Sequence, residues 1–228
     1  MAGRWRWLKE ARITAGALMA ISTTRHTVKT VSEKSTSKIQ ESLAPREIFI
    51  QAGIELMNKG GPDSLSINEI LSQANKPRGS FYAAFESKEV WLAALIQHYF
   101  QPPTDVLTLF AEGVSSGRQD TIRAWASWSV QRVKLAICRG DRIVSLTEMA
   151  GRCRELSLTA ETCEVLFCER SVALSKLLRA AFLLTEPAAS DQACLVLTML
   201  DGVESRASAT RRPELVEHFY QYFFNHMN

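Results

Sequence analysis

Ile67-Asn68-Glu69-Ile70-Leu71-Ser72-Gln73-Ala74-Asn75-Lys76-Pro77-Arg78-Gly79-Ser80-Phe81-Tyr82, followed by Phe85 and Ser87-Lys88-Glu89, is the stretch that decides the fold. Ser66 precedes an apolar pair, Ile67 and Ile70, and Glu69 stands three residues after it. That is capping-box spacing, in which hydroxyl and carboxylate satisfy two orphan amides at a helix start. Ile67, Ile70, Leu71 and Ala74 then recur at helical spacing and give one buried face. Asn75 falls where a turn requires a residue tolerant of positive φ. Pro77 suits the first helical position, because the amide it lacks would be unpaired there anyway. Phe81 and Phe85 are placed to anchor this second helix in a core, leaving Arg78, Gly79, Ser80 and Tyr82 on a compact exposed face. Ser87 is the expected cap of the next helix. The spacing predicts two short helices around a tight turn, the second small, polar and basic enough for a DNA groove.

Residues 45–100 resemble the DNA-binding domain of TetR-type regulators. Pro45-Arg46-Glu47-Ile48 through Leu56-Met57-Asn58-Lys59-Gly60-Gly61 is similar to that family's first helix and its terminating glycine, and Ser64-Leu65-Ser66-Ile67 to the entry of its second. Pro77-Arg78-Gly79-Ser80-Phe81-Tyr82, Phe85 and Ser87-Lys88-Glu89 resemble the recognition helix and the start of the fourth. The turn departs from the family's Gly-then-apolar pattern: Asn75 is a conservative backbone solution, but Lys76 removes an apolar packing contact. The resemblance implies a DNA-binding set of Ser66, Lys76, Pro77, Arg78, Gly79, Ser80, Tyr82 and Lys88. Tyr82 and Lys88 would meet phosphates, helped by Ser66 and Gly79, while Arg78 and Ser80 would lie nearest the base edges, where an arginine fork suits guanine.

Composition fits this reading. The chain has 228 residues, 46% of them hydrophobic and 22% charged, as in ordinary globular proteins. The formal net charge of +3 is unevenly spread: residues 1–44 hold eight Lys or Arg against three Glu, while the remainder is near neutral. A nearly neutral body points to a localised contact surface rather than broad nonspecific nucleic-acid binding. Residues 1–44 read as a basic extension, largely disordered beyond residue 22. Three readings of it stay open: an inert extension with the true start at Met19, a flexible arm touching neighbouring phosphates, or membrane association through Trp5, Trp7 and the arginines around them. No run of 18 apolar residues occurs, so no membrane span is expected.

The expected fold is all-α, with an N-terminal three-helix helix-turn-helix domain (residues 45–100) and a larger helical ligand-binding and dimerisation domain (residues 101–228). In the second part the helix beginning near Ser87 is expected to end at Gln101-Pro102-Pro103. A separate helix through Val106 and Phe110 would stop near Gly113–Gly117, and further helices are expected at about 120–138, 159–182 and 189–208, with one after Pro213. This half resembles the TetR-type effector region less specifically. The 159–182 and 189–208 helices would pair with a second copy, with Ala173, Ala193, Gly202 and Ala207 permitting close approach. Trp91, Leu95, Phe110, Trp125, Trp128, Cys138 and Met149 are the candidate effector-pocket residues, for a small apolar or amphipathic ligand.

Enzyme chemistry is not expected. Gly113-Val114-Ser115-Ser116-Gly117 has the letters of a nucleophile elbow, which needs a strand before it. No phosphate-cradling loop or zinc-binding His-Glu-x-x-His pattern occurs, and no cofactor or metal is expected. The function expected is a cytoplasmic homodimeric transcriptional regulator, a repressor released from a near-palindromic double-stranded DNA operator by a small-molecule effector. The alternative is a thiol-based redox or electrophile sensor on the same scaffold. Five cysteines, an odd count, suggest reduced thiols, and Arg152 and Arg154 flank Cys153, where they would favour the thiolate.

Overall fold

The computed structural model describes residues 44–114 and 119–227. Residues 1–43, nearly all of the basic extension, residues 115–118, which include the end of the elbow-like motif, and residue 228 lie outside them. The described residues form nine α-helices and no strand: α1 (Pro45–Gly60), α2 (Ile67–Ala74), α3 (Arg78–Ala84), α4 (Lys88–Glu112), α5 (Asp120–Arg139), α6 (Leu146–Arg152), α7 (Ser157–Phe182), α8 (Glu186–Thr210) and α9 (Glu214–His226). Without a strand, Gly113 has no sheet to form an elbow on; it caps α4 instead. No helix among the described residues is long and apolar enough to cross a membrane.

Local chemistry explains where the early helices begin and end. Pro45 opens α1, and Gly61, at φ 73°, closes it by donating its amide to Met57 O. A 3-10 turn, Pro62–Ser64, leads into α2. Ser66 and Glu69 form the expected reciprocal capping box. Asn75 is left-handed, at φ 49° and ψ 50°, with its amide on Leu71 O and Ser72 O. Pro77 is the N-cap of α3 rather than its first residue, because its ψ of 156° is still extended. Ser87 caps α4 by accepting from the Val90 amide at 3.1 Å.

The main departure from the sequence reading is α4, which passes unbroken through Pro102 and Pro103. Each proline withdraws one i→i−4 amide, a cost of about 3 kcal/mol for a helix interior. Tertiary burial offsets it: Phe100, Thr104 and Leu107 are buried around the prolines, and α4 makes its most extensive interhelical contact with α7. The Thr104 hydroxyl also donates to Phe100 O at 2.8 Å, supplying a bond to a carbonyl in the same turn. A second departure is α6, a seven-residue helix absent from the sequence reading and capped by Ser145, which accepts from the Glu148 amide.

Two apolar cores share α4. The lower one gathers Phe49, Met57, Ile70, Phe81, Phe85, Trp91 and Leu95, and extends to Leu146, Met149, Cys163 and Leu166 of α6 and α7. The upper one joins α5, α7, α8 and α9 around Trp125, Leu174, Leu200, Tyr220 and Phe223. Ala173, Ala193 and Ala207 belong to this upper core, so they face inward and not toward a second copy. Gly202 does face outward into open space.

Candidate nucleic-acid interface

The α2–turn–α3 unit is built on one residue, Phe81. Its ring is fully buried and meets Phe49 edge-on at 5.3 Å between centroids, with Phe85 at 5.7 Å and Trp91 at 6.0 Å. Trp91 is itself fixed by donating its indole N–H to Phe49 O at 3.2 Å. With that face of α3 locked inward, helical geometry turns Arg78, Gly79 and Tyr82 outward. Tyr82 is 46% exposed, and the Arg78 guanidinium lies 5.8 Å from its ring centroid. Ser80 is half-buried, while Lys76, Pro77 and Lys88 are exposed. A side chain added at Gly79 would meet nothing within 4 Å, so a flat partner could approach the backbone there closely.

Ser66 is exposed at the start of α2 beside Lys88. The Glu69 carboxyl is held below its usual range, first by hydrogen bonds from the Ser66 side chain and backbone and then by the Lys88 charge. Of the eight predicted residues, Ser66 and Lys88 thus line one groove and Arg78 and Tyr82 touch each other, and all but the half-buried Ser80 are exposed. Arg46, which the sequence reading passed over, supports α3. Its guanidinium stacks 4.4 Å over the Phe85 ring and points to Ala84 O at 3.5 Å, at the C-terminal end of α3 where a cation is favoured. A basic residue at the start of α1 gave no sequence signal of that role, since the contact is 38 residues distant.

The predicted effector residues do not converge. Trp91, Leu95 and Met149 lie in the lower core, and Phe110, Trp125 and Trp128 in or against the upper one. Cys138 is exposed. Met149 lines a groove of about 470 Å³ between the first unit and α6. The reason is general: aromatic and apolar residues on middle helices fill cores, and the sequence does not tell which of two cores each one faces.

The reading of Cys153 as an arginine-activated thiolate is corrected by the geometry. Cys153 is buried and its thiol is pushed up by desolvation, against a hydrogen bond from Thr159 and the Lys88 charge. The Arg152 guanidinium pairs with Asp63 at 2.7 Å instead. Burial likewise raises the Cys163 thiol to about 11, with neighbouring Cys153 and Glu164 adding to the effect. Among the described residues, no group of three or more His, Cys, Asp or Glu is placed to hold a metal.

Two helices joined by a left-handed turn, with the second anchored by aromatics and presenting a basic outer face, define the helix-turn-helix class of DNA-binding domain. Residues 49–95 match the family described as bacterial regulatory proteins, tetR family. The match places that family's DNA-binding region within this chain at residues 49–95. It is 26% identical over 120 residues to the HTH-type transcriptional repressor NemR of Escherichia coli (strain K12), covering 53% of this chain and 55% of that protein. It is 41% identical over 58 residues to the transcriptional regulator AcuR of Cereibacter sphaeroides, covering 25% of this chain and 26% of that protein. The chain thus spans about half the length of the first of these curated relatives and a quarter of the second. Among solved structures it is similar to a regulatory protein TetR from Rhodobacter sphaeroides, with a TM-score of 0.67 at 20% identity over 80% of this chain and 98% of that one. It is also similar to Escherichia coli NemR in its reduced form, with a TM-score of 0.63 at 19% identity over 80% of this chain and 97% of that one. At these identities the structural likeness concerns the fold.

Proposed function

We propose that the protein is a homodimeric, sequence-specific transcriptional regulator acting in the cytoplasm, a repressor released from a near-palindromic operator by a small effector. The observation that carries this reading is the outward set Arg78, Gly79 and Tyr82 on a helix whose other face is fixed by Phe81. Residues 45–100 serve as the reader and residues 101–228 as the effector and dimerisation part. Arg78 and Ser80 read base edges, while Tyr82, Lys88, Ser66 and the backbone at Gly79 set the register on phosphates. Lys76 and Pro77 flank the turn at the groove.

An exposed apolar stripe supports the dimer. Val165 and Val172 on α7, with Leu195 and Met199 on α8, are all well exposed, Val172 at 69%. Single exposed apolar residues are ordinary, but four on adjacent helices suit a face covered by a second copy. Two copies place two α3 helices on successive major-groove faces, which makes the operator two-fold.

Effector release requires that the second part communicate with the first, and polar contacts outside α4 cross between them. The Arg142 amide donates to Asn58 O at 2.6 Å, the Arg152–Asp63 pair closes at 2.7 Å, and the Glu89 carboxylate accepts the Leu158 amide at 2.8 Å at the start of α7. A ligand that shifts α6 or the residues before it has to rearrange these contacts, and a few kcal/mol of differential affinity is sufficient coupling. The test is footprinting on a selected operator with purified full-length protein: protection of two half-sites about one helical turn apart is expected, and protection of a single asymmetric site would refute the dimeric reading.

A further inference from the structure

Where α4, α5, α7 and α8 meet, there is a cavity of about 160 Å³. Four charged side chains line it: Arg132 of α5, Arg170 of α7, and Asp201 and Glu204 of α8. Both carboxylates are buried, and each has both oxygens engaged. Glu204 Oε1 accepts from the Ser129 hydroxyl at 2.8 Å and its Oε2 from the Arg132 guanidinium. Asp201 Oδ1 accepts from Arg170 Nη2 at 3.1 Å and its Oδ2 from the Thr147 hydroxyl at 3.1 Å.

The guanidinium side is not balanced in the same way. Each arginine carries five N–H donors in a fixed fork. Among the described residues, the Nε of Arg132 is buried with no hydrogen-bond partner. The cavity therefore has donor capacity to spare while its strongest acceptors are engaged, and a ligand gains most by bringing acceptor oxygens. The remaining lining is mostly apolar, from Phe100, Pro103, Ile143, Val144 and Leu146, with Tyr99 and Ser145 beside them. The volume lies below the roughly 300–1,000 Å³ usual for drug-sized ligands.

We propose that this cavity is the effector site and that it takes a small carboxylate with a short apolar body, the carboxylate lying on Arg132 and Arg170. Calling the ligand an effector rests on the regulator reading above; its chemical class does not. The position also supplies a route to α1. Residues 143–146 form one wall of the cavity. The adjoining Arg142 holds the end of α1, through its amide on Asn58 O at 2.6 Å and its guanidinium packed against Gly61. Tyr99, on another wall, donates its hydroxyl to Asn58 Oδ1 at 3.2 Å. A ligand that moves either wall moves the support of α1.

The experiment is thermal unfolding of the full-length, DNA-free protein with butyrate or benzoate, with butyramide or benzamide as matched neutral probes, and with inorganic phosphate. At least one carboxylate is expected to raise Tm by about 5–10 °C at roughly a hundred times its Kd, with no shift from its amide or from phosphate. The double variant Arg132→Gln/Glu204→Gln, which removes both charges of one pair and leaves no lone buried charge, is expected to lose the shift. Equal shifts from acid and amide, a shift from phosphate alone, no shift from either acid at about 10 mM, or a full response in a folded double variant would overturn the proposal. Should the double variant not fold, the contrast between acid and amide on the unaltered protein decides. Because DNA is absent, failure here leaves the regulator reading standing; that reading fails separately if no duplex sequence is selected.

Discussion

Replacing Phe81 with alanine separates the two faces of α3. Phe81 is fully buried among Phe49, Phe85 and Trp91, and those rings are themselves too well packed to collapse into the space it leaves. Truncating such an aromatic costs about 3–5 kcal/mol, from lost transfer energy and the residual cavity together. For a chain of this size that lowers Tm by about 6–20 °C if unfolding is a single transition. Tyr82→Ala on the neighbouring outward position is the control. It removes a 46% exposed ring whose edge meets Phe81 at 5.4 Å between centroids. The stability loss expected from that contact is about 1 kcal/mol or less. Its cost falls instead on DNA affinity: a lost phosphate hydrogen bond of about 1 kcal/mol in each subunit amounts to roughly a thirty-fold weaker complex. Differential scanning calorimetry and fluorescence anisotropy on a selected operator read the two effects. If Tyr82→Ala destabilised the fold as much as Phe81→Ala while leaving operator affinity intact, the assignment of inner and outer faces would be wrong.

Other consequences follow from particular sites. Asn75 is left-handed, so Asn75→Val is expected to cost about 1–2 kcal/mol in urea unfolding while Asn75→Gly is neutral or slightly stabilising; equal stability for Val and Gly would contradict the turn geometry. Cys163 is held neutral to about 11, against 9.0 for a free thiol. Folded protein therefore keeps a proton that the unfolded chain gives up, and stability falls by about 2–3 kcal/mol as pH rises between those values. Cys163→Ala should flatten that slope in alkaline unfolding titrations, and an unchanged slope would remove Cys163 as its cause. Val172→Arg/Met199→Arg places charges on the exposed α7–α8 stripe, and sedimentation analysis is expected to show monomers with an unaltered helical spectrum; a persistent dimer would locate the interface elsewhere.

The α2–turn–α3 unit was legible in the sequence because its determinants are local. A capping pair three residues apart, a residue tolerant of positive φ, a proline at the helix entry and two aromatics four apart each act within a turn or two of themselves. The off-by-one placement of Pro77 shows the limit of such signals: its fixed φ suits either the cap or the first helical residue, and only ψ distinguishes them. The continuity of α4 was not legible, because the burial that carries it through Pro102 and Pro103 comes largely from α7, more than fifty residues downstream. The small helix α6 was missed, although Ser145 and Glu148 have the same cap spacing that located α2. In the second half, aromatic content does not tell which of the two cores a side chain joins. A more useful signal was the recurrence of Asp201 and Glu204 four residues after Leu197 and Leu200, which puts carboxylates on the face of α8 that enters the core. Charge on a core-facing position requires partners, and Arg132 and Arg170 are the partners the fold supplies.

The central claim, that α3 reads a two-fold DNA sequence, is tested most directly by selecting binding sites from a random duplex library with the purified full-length protein, alongside the Arg78→Ala/Tyr82→Ala variant. The account predicts an enriched near-palindrome whose half-sites lie about one helical turn apart, with enrichment lost in the double variant although its Tm is nearly unchanged. A folded protein that enriches no sequence at any salt concentration, or one whose enriched sequence survives the double variant, would contradict it.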